Sequence, residues 1–187
     1  ATCCQVSASP VTGAAGAVWV HDVSGERSPS SRRTRTRGAA ATATVADAEL
    51  LETSGIAASR RYPGVLWAHN DSRDGARVYA IGPSGEDLGG FDIAGASAFD
   101  WEDMAAGPGA DAATSALYFG DIGDNFSIRG GRITVYRVPE PDPATLNGPI
   151  EGAVALEYAY PDGTYNAEGL FVAEDSIYIV TKDKEEA

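Results

Sequence analysis

An all-β fold is predicted by two features of this 187-residue chain, and a third refines the prediction. From Glu52 onward, short runs of β-branched, aromatic and aliphatic residues alternate with clusters of Gly, Asp, Asn, Pro and Ser. That is the texture of strands joined by tight turns. No stretch repeats apolar residues at helical spacing over a helical length. The third feature is an internal repeat, with units starting at 54, 102 and 168.

The repeat is read strand by strand. SGIAAS (54–59), LWAHND (66–71) and RVYAI (77–81) form the first unit, and EDLGGFDI (86–93) leaves room for a fourth strand. WEDMAAG (101–107), LYFGDI (117–122), TVYRV (134–138) and GAVALEYAY (152–160) form the second. AEGLFVA (167–173) and IYIVTK (177–182) open a third. Four strands per unit and spacings of 48 and 66 residues predict a β-propeller of four-stranded antiparallel blades, with an insertion in the second. A β-sandwich is the alternative, but it leaves the repetition unexplained. Blades are expected at about 53–94, 100–160 and 166–187, the last one cut short. A propeller ring needs about four blades or more, so residues 51–187 read as the N-terminal part of an incomplete ring of about two and a half blades.

Residues 1–50 differ in texture. SPSSRRTRTRGAAATAT holds few large apolar side chains, and such a segment buries too little surface to offset its ordering entropy. It is expected to be disordered or low in complexity. Cys3 and Cys4 are adjacent, a poor geometry for a mutual bridge, and no zinc spacing or disulfide framework accompanies them.

Charge narrows the partners. The net charge is −13, and residues 51–187 carry nine Lys and Arg against 23 Asp and Glu. A phosphate backbone is repelled by such a surface, so nucleic acid is not expected, whereas a divalent cation is. No apolar run approaches the roughly 18–20 residues that cross a bilayer as a helix, so no transmembrane segment is expected.

Strand direction alternates within an antiparallel blade. The start of the first strand and the end of the second therefore share one end of the sheet. This gathers Asp100, Glu102, Asp103, Asn166 and Glu168 from strand starts, with His69, Asn70, Asp71, Asp121, Asp124, Lys182 and Asp183 from strand ends. Glu102 and Glu168 hold matching places where the first unit has Ser54. Carboxylates set close together repel unless a cation or hydrogen-bond donors compensate. Hard oxygen ligands suit calcium or another hard divalent cation. Glu102 and Glu168 rank first as ligands, then Asp121 and Asp124, with Asp103 beside them. His69, Asn70, Asp71, Asn166 and Lys182 are expected to line the same face.

Other readings compete at several positions. Asp, Gly and Asn in GDIGDN are also turn residues, and the stretch lacks EF-hand spacing. His69 reads as a hydrogen-bonded structural histidine rather than a base. No Gly-x-Ser-x-Gly elbow is present, so a serine triad is not supported. Trp67, Tyr118 and Tyr178 hold equivalent places, which suits packing between sheets. Asn70-Asp71-Ser72 and Asn125-Phe126-Ser127 match the glycosylation pattern, but Asx-turn chemistry explains both.

PGVLWAHNDSRDGARVYAI, FDWEDMAAGP, LYFGDIGDN, VYRVPEP and YPDGTYNAEGLFV resemble, in this order, the blocks of a group of bacterial secreted or surface β-propeller proteins. The resemblance covers residues 52–182. The group is distantly related to phytase-like and esterase-like propeller domains and to calcium-containing sugar-lactone-type propellers. The resemblance implies an extracytoplasmic ring of six or seven blades, with Glu102, Asp121, Asp124 and Glu168 in shared blocks, but it supplies no established activity. The N-terminal 50 residues do not resemble an intact export signal. The expected function is a binding or scaffolding module for a small anionic ligand or a protein, with a metal-dependent phosphoester or ester hydrolase as the alternative.

Overall fold

The structure is a computed structural model. It describes residues 43–71, 74–174 and 176–182, and the backbone of three short strands, β1 (Thr2–Cys3), β2 (Ser7–Ala8) and β3 (Ala17–Trp19). The rest of the expected low-complexity segment, and Asp183, lie outside the described residues. No helix occurs among the described residues, and the fold is all-β.

Sheet 1 is built from β4 (Thr53–Ala58), β5 (Leu66–Asn70), β6 (Arg77–Ile81) and β7 (Asp87–Asp92), in that order and antiparallel throughout. Sheet 2 repeats the order with β8 (Trp101–Pro108), β9 (Ser115–Asp121), β10 (Arg132–Pro139) and β11 (Val154–Ala159). Sheet 3 pairs β12 (Asn166–Ala173) with β13 (Ser176–Lys182). On the other edge of β13 lie β1, antiparallel, and β3, parallel; β2 pairs with β3. The sheets described form no closed ring. Their first strands lie side by side, β4 against β8 and β8 against β12.

Side-chain alternation explains why sheet 2 is buried on both faces. Leu117 and Phe119 of β9 pack toward sheet 1 with Trp67, Val78 and Trp101. Ala116 and Tyr118 point the other way, into a second core with Leu170, Ile177 and Ile179 of sheet 3. The equivalent Trp67 and Tyr118 thus each face the following sheet. Trp101 stacks on Phe119 at 4.8 Å. His69 meets both rings edge-on, at 5.6 and 6.1 Å. The buried Trp67 indole requires an acceptor, and its Nε1 donates to Glu140 Oε1 at 3.0 Å, tying sheet 1 to the end of β10.

Each first strand slips its register once, near its start. The slip falls between Thr53 and Ile56 in β4, between Trp101 and Asp103 in β8, and between Ala167 and Gly169 in β12. The extra residue is therefore Glu102 in β8 and Glu168 in β12. A bulge bends the strand and turns the side chain of its extra residue out of the ordinary alternation.

Candidate functional site

The acidic end of the sheets is assembled from loops held by backbone hydrogen bonds. Asp71 follows β5, and its N–H donates to Glu52 O at 2.9 Å. Asp100 precedes β8, and its N–H donates to Asp121 Oδ1 at 2.9 Å. Its carbonyl accepts from the N–H groups of Ile122 and Gly123 at 3.2 and 3.1 Å. The Glu102 carbonyl accepts from Ser54 Oγ of sheet 1 at 2.5 Å, so the serine of the first unit secures the glutamate of the second.

These supports bring Asp71, Asp100 and Glu102 together, with one carboxylate oxygen from each lying within 4.8 Å of the others. Asp71 is exposed, Asp100 half-buried and Glu102 only 9 % exposed. Among the described residues nothing donates a hydrogen bond to the Glu102 carboxylate. Burial pushes its pKa up to about 7, and the charges of Glu168, Asp100 and Asp71 add to this against the opposing Lys182. Asp100 is also raised by burial, and by Asp71, Asp121 and Glu168, while Arg129 opposes. The site thus concentrates negative charge, and among the described residues no donor holds the Glu102 carboxylate. Three carboxylates in this arrangement could hold a metal ion.

Gly123 makes the approach possible. A Cβ built there would collide with Glu102 Oε1 and Asp100 Oδ2. Gly123→Ala is expected to leave the circular dichroism spectrum unchanged and to weaken divalent-metal binding at least tenfold, as measured by calorimetric titration.

The remaining residues expected on this face have other partners. Asp121 is ion-paired with Arg129 and accepts from the Asp100 N–H. Asp124 closes the following turn, accepting from the N–H of Ile128 at 2.7 Å and of Arg129 at 3.2 Å. Asp103 accepts from the N–H of Met104 and, across to β12, of Leu170, both at 2.8 Å. Glu168, at the β12 bulge, is bonded to Lys182 Nζ at 2.8 Å and to Asn166 Nδ2 at 3.3 Å. Asn166 Oδ1 accepts from the Asp124 N–H at 2.7 Å. Asn70 Oδ1 accepts from the Glu52 N–H, and its Nδ2 donates to Glu49 O and Asp74 Oδ2.

His69 is fully buried. Burial lowers its pKa, so the ring is neutral, with Nδ1 donating to Asn70 O at 2.9 Å.

Comparison with known protein families, curated proteins and solved structures finds no match. The site is therefore read from its own geometry.

Of the five residues expected as ligands, Glu102 alone joins the three-carboxylate cluster. Asp71, expected only to line the face, is a member. Asp100, the third member, is not among the ligands expected from the sequence. Its available signal was its place at the same strand entry as Glu102, two residues before it. Arg129 left no comparable signal, since a turn brings it back to Asp121.

Proposed function

We propose that this chain is part of an extracytoplasmic β-propeller that binds or scaffolds a partner, and that its acidic end holds a hard divalent cation, in the first place calcium. The observation that carries this is the meeting of Asp71, Asp100 and Glu102, contributed by two adjacent sheets. Glu102 within it is 9 % exposed, and among the described residues nothing donates to its carboxylate. A propeller arrangement is supported by three first strands side by side and a bulge at one repeated place. Three carboxylates open to solvent on one side suit the millimolar calcium of extracellular modules better than the submicromolar cytosolic level. A cation there would present open coordination positions to an anionic group of a ligand or partner protein.

Calcium at about a hundredfold over its dissociation constant is expected to raise the unfolding temperature by about 5–10 °C, reversibly on chelation. Absence of a shift with calcium, magnesium or manganese would overturn the metal reading. A hydrolytic reading of phytase-like type draws on one observation, the Glu102 pKa of about 7, which suits proton transfer near neutral pH. It requires metal-dependent turnover of a model phosphoester or ester that chelator removes.

A further inference from the structure

Sheets 2 and 3 part at the end of their strands remote from the acidic cluster. At Gly107 they touch: a Cβ there would lie 2.8 Å from Val172 Cγ1 and 2.9 Å from Tyr118 Cε2. Just beyond, the turn after Pro108 and the β12–β13 hairpin diverge to leave a cleft of about 250 Å³. Pro108, Ala112, Val172 and Ile177 give it apolar walls, and Tyr118 and Arg137 line it from β9 and β10. The Tyr118 hydroxyl is committed, donating to Pro108 O at 2.6 Å.

Arg137 is not committed. It is half-buried, and among the described residues its guanidinium makes no ion pair or hydrogen bond. Arg77 and Arg129 each hold a carboxylate, as expected where 27 acidic residues outnumber 14 basic ones. A guanidinium offers five donors in a planar fork that matches a carboxylate.

We propose that this cleft binds a small aliphatic monocarboxylate, with its carboxylate on Arg137 and its hydrocarbon body against the apolar walls. The volume is below that of a drug-sized pocket, which begins near 300 Å³, so the ligand is short. Exposed Glu174 also lines the cleft and repels a dianion such as phosphate more strongly than a monoanion. The cleft is separate from the acidic cluster and does not depend on a metal there.

The test is a nuclear magnetic resonance titration of the full chain with sodium butyrate, against sodium chloride and sodium phosphate at equal ionic strength, with and without chelator. Saturable shifts confined to the amides of Gly109, Ala110 and Ser176 are expected, with a dissociation constant on the order of a millimolar. They should be the same with chelator and weaker with phosphate. Arg137→Gln is expected to weaken binding at least tenfold, and Arg137→Lys, which keeps the charge but loses the fork, by a smaller factor. Butyrate shifts no different from those of chloride, tighter binding of phosphate, or unchanged affinity in both variants would overturn the proposal.

Discussion

Glu102→Gln is expected to make the metal-free protein more stable at pH 8 while abolishing its response to calcium. The Glu102 pKa lies near 7 in the folded protein against 4.5 for an ordinary glutamate. The folded state therefore holds its proton more tightly than the unfolded state does. Between pH 4.5 and about 7 the folded state binds more protons, so the glutamate's contribution to stability falls as pH rises. Below pH 4.5 both states are protonated and the penalty vanishes. Above about 7 it is fully developed. A neutral glutamine carries no such penalty, and its amide can donate to Asp100.

The gap corresponds to about 1–3 kcal/mol once discounted for solvent at the open side of the site. That raises the unfolding temperature by about 2–10 °C at pH 8. Near pH 4 wild type and variant should unfold together. Thermal unfolding across pH 4–8, with and without calcium, reads both effects. A variant less stable than wild type at pH 8 would mean that Glu102 is held by donors, and the cation site would lose its basis.

Asp121→Ala is expected to do the reverse, lowering stability while weakening, not abolishing, the calcium response. Asp121 is 4 % exposed and ion-paired with Arg129, whose side chain is 13 % exposed. It also holds the Asp100 N–H. Removing one member of a buried pair strands the other charge, at a cost of about 3–5 kcal/mol. Arg129 also stacks 4.7 Å from the Phe99 ring centre and has a buried Nε with no partner among the described residues, so the stranded charge stays in a buried setting. Denaturant unfolding measures the loss, and calorimetry on the still-folded variant tests calcium. A variant of unchanged stability that no longer binds calcium would move Asp121 from support to ligand.

The contrast between these two carboxylates shows how far the sequence could be read. The strand runs, their grouping into repeated units and the shared end of the polar residues followed from alternation and turn chemistry alone. Glu102 was visible because it stands where the first unit has Ser54. Asp121 and Asp124 looked equally acidic in GDIGDN, yet both turn inward to backbone N–H groups. Asp103 reaches across to Leu170 of the next sheet. Residue type and spacing do not tell a carboxylate that finds a backbone donor from one that does not.

By itself, then, the sequence determined an all-β chain of repeated antiparallel strands with acidic residues gathered at one end. Binary patterning and strand direction are properties of the chain read locally. Tertiary structure decided which acids stay unpaired. That choice rests on how a bulge turns Glu102, on how closely Gly123 lets two carboxylates approach, and on whether a donor from another sheet lies within about 3 Å. These distances exist only once the sheets have packed.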